Sequence, residues 1–185
     1  MSRLSLSLRC ALLMLSTLAG CGPAAASDGE ASLGGQSASI ADDSDGAPAD
    51  ALTALRNEIN ELYARPEHDA ASVEVQHLLV SFVGVRGMGG VTRSQGEAEQ
   101  LAADLMVRIH GGEDFDALIK EYTNDSHPGI YPMTRASRSR MVPAFGDVAW
   151  RLEVDEFGVA PFHVRDSPYG WHIIQRRKGC NFHCT

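Results

Sequence analysis

Three things are scarce in this sequence of 185 residues: long apolar runs, basic charge and cysteine. No apolar run approaches the ~20 residues that a bilayer-spanning helix needs, which excludes a polytopic membrane protein. Lys and Arg total 16 against 24 Asp and Glu, a formal net charge of −8. Nucleic-acid binding runs on clustered Lys and Arg, so this balance argues against that partner. The four Cys include no Cys-x-x-Cys pair, so the commonest metal-knuckle spacing is missing. What remains is 44% hydrophobic and 22% charged, the profile of an ordinary globular chain. Its length suits one domain with room left over for tails.

The acidity is unevenly placed. Residues 1–20 carry +2, residues 21–50 carry −6, residues 51–74 carry −3, and residues 75–185 carry only −1. The first segment reads as an export signal, with Arg3 and Arg9 ahead of a short apolar stretch from Leu12 to Ala19. The run Leu18-Ala19-Gly20-Cys21 resembles a bacterial lipobox. That resemblance implies cleavage before Cys21 and lipid attached to it; the alternative is a plain secretory signal with a nearby free Cys. With Gly22 next, the expected location is the bacterial cell envelope, on the periplasmic face of the outer membrane. Acyl chains contribute ~0.8 kcal/mol per buried CH₂, so several would hold the protein firmly to a membrane.

Residues 21–50 are mostly Ala, Ser, Gly and Asp. They cannot bury enough surface to offset ordering entropy and are expected to form a disordered acidic tether. Its r.m.s. reach is about 30 Å. Over 51–72 an amphipathic helix and a connector are expected, because Leu52, Leu55, Ile59 and Leu62 recur at helical spacing. The helix either packs on the domain C-terminal to it or meets a partner; no oligomeric state can be assigned from the sequence.

From 73 to 178 the pattern is that of one α+β domain. Val73, Val75, His77 and Leu79 alternate with neighbours in a strand over about 73–82. Gly84 to Gly90 is a loop. Ser94 and Glu97 form a capping box ahead of a helix with Ala98, Leu101, Leu105, Met106 and Ile109 on one face. A short helix comes next at Phe115, Leu118, Ile119 and Tyr122, then a turn-rich stretch from Thr123 to Pro132. Met141, Phe145, Val148 and Leu152 suggest a third helix, and 159–164 and 171–175 suggest closing strands.

Five segments of this domain resemble one family in order and spacing. They are His77-Leu78-Leu79-Val80, Gly112-Glu113-Asp114-Phe115, Tyr122-Thr123-Asn124-Asp125, Met141-Val142-Pro143-Ala144-Phe145 and Tyr169-Gly170-Trp171-His172-Ile173-Ile174. Together they resemble the parvulin-type (PpiC-like) peptidyl-prolyl cis–trans isomerases. The resemblance implies a four-stranded antiparallel sheet surrounded by about four helices. It also implies an enzyme that rotates X-Pro bonds in unfolded or extended Pro-containing polypeptides.

Prolyl isomerisation makes and breaks no covalent bond. Its barrier, ~18–20 kcal/mol, is the partial double-bond character of the amide. A catalyst needs an apolar seat for the proline ring and polar groups matched to the twisted amide. No metal, cofactor or strong nucleophile is required. By the resemblance, Met133, Met141 and Phe145 line the proline pocket, with Met141 and Phe145 one helical turn apart. Ser167 and Tyr169 are the further substrate-binding candidates, as sources of a hydroxyl. His77, Asp125 and His172 are the catalytic candidates. The two histidines either hold the site rigid or move a proton; Asp125 either opposes the charge-separated amide resonance form or caps a turn. Ala136 occupies a position where the family often has an aromatic, which predicts a wider or weaker pocket. That departure leaves a non-catalytic, chaperone-like binding module as the alternative function.

Arg86 and Arg93 are isolated and Ser81 stands where a Lys could be, so no phosphate specificity is expected. Arg135, Arg138 and Arg140 are expected to form a basic patch beside the pocket. The tail, 179–185, holds Cys180 and Cys184 with His183 between them. An exported compartment favours a disulfide, provided a turn brings the two Cα atoms within ~7 Å. Free thiols and a metal site using His183 are the other readings.

Overall fold

The computed structural model describes residues 47–179. The export signal, Cys21, residues 21–46 of the tether, and Cys180, His183 and Cys184 lie outside the described residues. The elements are α1 (Ala47–Ala64), β1 (Ser72–Val80), α2 (Gln95–His110), α3 (Phe115–Tyr122), β2 (Ile130–Thr134), a 3₁₀ turn (Arg138–Arg140), α4 (Pro143–Ala149), β3 (Phe157–Ala160) and β4 (Trp171–Arg177). The four strands form one antiparallel sheet in the order β2-β1-β4-β3. The expected α+β fold, four strands with four helices around them, is present.

Alternation along the strands gives the sheet two different faces. Leu78 and Val80 of β1, Ile173 of β4 and Val159 of β3 join a buried cluster with Ala98, Leu105, Met106 and Ile109 of α2 and Leu118 and Ile119 of α3. Leu55 of α1 belongs to that cluster too. On the other face, Val73, Val75, Ile174 and Ala160 join Phe145, Val148 and Ala149 of α4. The capping box of α2 is formed, with Glu97 N–H donating to Ser94 Oγ at 3.2 Å and Ser94 N–H to Glu97 Oε2 at 2.6 Å. Asp114 caps α3 by accepting from Ala117 N–H at 2.8 Å, and Phe115 behind it is buried. These contacts give the Gly-Glu-Asp-Phe segment a physical reason.

Helix α1 packs on the domain rather than projecting from it. Leu55 and Leu62 are buried, and Arg56 pairs with Glu99 of α2 at 2.9 Å. It starts at Ala47, so residues 47–50, expected in the tether, form its first turn. Asp50 in that turn suits the positive end of the helix dipole.

Three other boundaries differ from expectation. The turn-rich stretch gives way to β2 already at Ile130; β2 is an edge strand, where Pro132 is tolerated. The third helix is shorter than expected because Pro143 occupies its first turn and Met141 precedes it in extended conformation. Strand β3 covers Phe157–Ala160 and stops before Pro161, which has no N–H for the ladder.

Candidate active site

The antiparallel register places Leu79 opposite His172 and His77 opposite Ile174. His77 and His172 are therefore diagonal neighbours on the α4 face, at the sheet centre. Both are almost fully buried, at 3% and 4% exposure. Their rings stack with centroids 5.4 Å apart.

Asp125 reaches them from the loop after α3, and its two predecessors fix that loop to β1. Thr123 Oγ1 accepts from Leu79 N–H at 3.1 Å and from Asp125 N–H at 3.2 Å. Asn124 N–H donates to the Leu79 carbonyl at 2.8 Å, and Asn124 Oδ1 accepts from Ser81 N–H at 2.9 Å. Arg93 adds a 2.7 Å bond to the same Asn124 oxygen. The Thr-Asn pair thus extends the pairing of β1 and aims the next residue. Gly129 closes the loop: its carbonyl accepts from His77 N–H at 2.9 Å. Its φ of +64° and the collision a Cβ would make with the His77 carbonyl both require glycine.

The Asp125 carboxylate is held by three donors. Oδ2 accepts from His77 Nε2 and Tyr131 Oη, each at 3.2 Å, and Oδ1 accepts from Ser126 N–H at 2.8 Å. Partial burial pushes the Asp125 pKa up, but the Ser126 N–H, His77 and Tyr131 outweigh it, and the net shift is downward. The carboxyl is therefore ionised at neutral pH.

Burial lowers the pKa of His77, opposed by Asp125, and burial followed by the neighbouring His77 pushes His172 down to about 3. Both rings are neutral at neutral pH, and this fixes the proton positions. A carboxylate only accepts, so His77 Nε2 carries the hydrogen and His77 Nδ1 is bare. His172 Nδ1, 3.4 Å from it, must then be the donor of that long contact. His172 Nε2 is left as a buried acceptor with no partner among the described residues. The pair so ordered cannot pass a proton without first changing tautomer.

Beside this polar edge lies a cavity of about 250 Å³. Its apolar wall is Leu79, Met88, Met141, Val142 and Phe145; its polar edge is His77, Asp125, Tyr131, Tyr169 and His172. Phe145 meets His77 edge-to-face at 5.1 Å and His172 at 5.6 Å. Tyr131 meets His77 at 5.1 Å. The aromatic rings and the histidines thus pack as one block.

The wall is braced from behind. Arg138 makes a two-pronged pair with Glu67, at 2.6 and 2.7 Å, and also bonds Asp147 of α4. Its aliphatic stem lies against Gly146, and its carbonyl accepts from Met141 N–H at 2.9 Å. One residue therefore touches both ends of the Met141–Phe145 wall. Glu67 also takes Arg135 at 2.8 Å and Arg151 at 3.3 Å. Arg138, with Arg135 assisting, holds the Glu67 pKa down at about 2 against partial burial.

The structure brings His77, Asp125, His172, Met141, Phe145 and Tyr169 together around the cavity. Met141 is there without sharing a helix with Phe145. Met133 is 2% exposed and sits in the same buried cluster as Phe145, outside the cavity wall. Its strand position, opposite Val73, lies below the level of His77. Ser167 is also outside: it is fully buried and donates from Oγ to the Gly170 carbonyl at 2.9 Å, closing the β3–β4 turn. Ala136 is exposed in a tight turn away from the wall. Arg135 and Arg138 face Glu67 and the Trp150 ring, so the expected basic patch is largely neutralised. Tyr131 also lines the cavity and bonds Asp125, and the sequence patterns did not single it out. Its position two before Met133 was the available signal, since alternate strand residues share a face.

Comparison with known proteins agrees with this geometry. The PPIC-type PPIASE domain family matches residues 59–178. A Chaperone SurA from Pseudomonas fluorescens is 30% identical over 105 residues, covering 56% of this chain and 22% of that protein. A Chaperone SurA from Chromohalobacter salexigens is 38% identical over 87 residues, covering 45% of this chain and 19% of that protein. A Foldase protein PrsA from Halalkalibacterium halodurans is 31% identical over 85 residues, covering 42% and 23%. The chain thus matches about a fifth of the length of each of these relatives. Among solved structures, a peptidyl-prolyl isomerase from Candida albicans, ESS1, superposes with a TM-score of 0.51 at 22% identity, covering 69% of this chain and 75% of that one. That likeness concerns the fold. On the family match across its sheet, helices and cavity, the chain belongs to the PPIC-type PPIASE domain family, the parvulin-type peptidyl-prolyl cis–trans isomerases.

Proposed function

We propose that this protein rotates X-Pro bonds in unfolded or extended exported polypeptides, without covalent catalysis and without phosphate specificity. The observation that carries the reading is a cavity with an apolar wall and one fixed, ionised carboxylate at its edge. A proline ring against Phe145 and Met141 leaves its preceding amide at the Asp125 edge. There the carboxylate disfavours the planar form, whose oxygen bears negative charge, more than the twisted form. His77 and Tyr131 hold the carboxylate in place. Among the described residues, those lining the cavity include no Cys, Ser, Thr or Lys, which supports a mechanism with no covalent intermediate. His77 and His172 act here as a rigid neutral scaffold.

Export and lipid attachment at Cys21 are part of the same proposal and rest on residues 1–22. Incorporation of a labelled fatty acid that disappears in Cys21→Ala tests the attachment. Isolated arginines support the absence of phosphate selectivity; Arg93 is taken by Ser81 and Asn124. Turnover of a phosphoSer-Pro peptide more than about tenfold faster than its plain counterpart would overturn that part.

A holding function for extended chains is the second reading. It rests on Val83 and Val164, which are 56% and 75% exposed on the loops that also carry Met88 and Tyr169. One experiment separates the two: isomerisation of an X-Pro tetrapeptide measured beside aggregation of an unfolded client. Rate enhancement lost in Phe145→Leu supports the enzyme. Suppressed aggregation without rate enhancement supports the holding module.

A further inference from the structure

The isomerase reading leaves open which client segments the cavity mouth accepts, and the arginines and lysines answer it. The described residues include 14 Arg and Lys side chains. All but three are engaged in ion pairs or hydrogen bonds within the fold. The three whose side chains have no partner among the described residues are Arg86, Arg140 and Arg165, and all are exposed. Their placement is not scattered. Each stands on a different loop that delivers a residue to the cavity: Arg86 shortly before Met88, Arg140 beside Met141, and Arg165 shortly before Tyr169.

The acidic groups are arranged the other way. Two carboxylates stand on the mouth loops, and both are occupied. Asp125 is tied to His77, Tyr131 and Ser126, and Asp166 pairs with His163 at 2.8 Å. Carboxylates without a partner among the described residues lie elsewhere, as with Asp69 on the connector after α1 and Glu121 on α3. The segments that supply the cavity's lining are therefore the part of the described domain where unpaired positive charge gathers. A fold that neutralises its other cations internally has left these available.

We infer that the mouth selects client segments carrying acidic side chains on either side of the proline. Three single guanidiniums on three loops suit carboxylates spread along an extended chain. They do not suit one phosphate, which is recognised by cations clustered on a single group. The inference rests on the isomerase reading, and its test reads binding as well as rate.

The test uses the full chain and three peptides that share one X-Pro centre and carry Glu, Ala or Lys at the flanking positions. Isomerisation and fluorescence-polarisation binding are both measured, at low and high salt. The Glu peptide should exceed the Lys peptide by about threefold to tenfold at low ionic strength, with the ratio shrinking as salt screens it. The triple substitution R86Q/R140Q/R165Q, checked for an unchanged melting temperature, should bring the ratio close to one. A Glu-to-Lys ratio of one or less in the unsubstituted protein overturns the inference. So does a ratio that survives the triple substitution. Acid-selective binding with no turnover of any peptide would instead uphold this inference and sink the isomerase reading.

Discussion

The two faces of the central sheet are built from the same strands and do different things. Toward α1, α2 and α3 the sheet presents Leu78, Val80, Val159 and Ile173, packed without a buried histidine or carboxylate among the described residues. Toward α4 it presents His77 and His172 between Leu79, Val75 and Ile174, with a cavity left open above them. Adjacent residues of β1, Leu78 and His77, thus belong to opposite regimes. The dry face contributes stability by area removed from water. The wet face gives some of that up: it leaves His172 Nε2 without a partner among the described residues and holds two neutral imidazoles out of solvent. A fold can carry such a site because the cost is confined to one side of a sheet whose other side is closely packed.

The largest effect should come from cutting the dry face. Leu78→Ala removes a fully buried side chain and should destabilise by about 2–5 kcal/mol, read as a lower urea midpoint. Turnover per folded molecule should stay close to that of the parent. A large loss of kcat at full folding would mean that the two faces are coupled.

Cutting the wet face should reverse the pattern. Asp125→Ala should lower kcat/KM on a tetrapeptide by about tenfold to hundredfold. Stability should fall by about 1–3 kcal/mol, since the bonds from His77, Tyr131 and Ser126 are lost together and the buried His77 N–H is left unpaired. An unchanged rate would remove Asp125 from the mechanism and leave it as the local cap of Ser126.

How much of this division could be read in the chain depended on the range of each contact. Strand alternation around His77 and the capping box at Ser94 are local patterns, and they stood in the sequence where the structure has them. Tyr131 was hidden because β2 is a short edge strand whose Pro132 and preceding Asn, Asp and Gly look like a turn. Met141 lines the cavity by another route than the spacing suggested: a shared helix was expected, but Pro143 starts the helix after it. Ser167 was misplaced because a hydroxyl near a motif says nothing of the carbonyl it will bond. The Glu67–Arg138 pair spans 71 residues, and no local periodicity encodes such a contact. It bears on the site all the same.

That brace gives a sharper test of the wet face, since it acts on the wall without touching the cavity. Glu67→Gln keeps the shape of the side chain but removes the charge that three arginines share. The KM for a tetrapeptide should rise about twofold to fivefold with kcat nearly constant, because the Met141–Phe145 wall binds the ring in ground and twisted states alike. Glu67→Asp, which keeps the charge, should recover part of the loss. A fall in melting temperature with KM unchanged would make the brace purely structural.

The last effect expected is a slope. In the unfolded chain the imidazoles of His77 and His172 titrate near their ordinary value of about 6.5. In the fold burial lowers both, His172 to about 3. The unfolded state therefore takes up protons first as pH falls, and the stability held above about pH 6.5 is progressively lost toward the folded values. Glu67, held at about 2, adds loss in the same direction only below the ordinary carboxylate range. Between pH 7 and pH 5 the His172 ring contributes up to about 1.4 kcal/mol per pH unit, and His77 adds in the same direction. The dry face contributes nothing there, since its buried side chains do not titrate. His172→Asn should flatten the dependence of unfolding free energy on pH in that window, whereas Leu78→Ala should shift the whole curve down without changing its slope. Equal slopes in the parent and His172→Asn would mean that the acid sensitivity does not arise at His172.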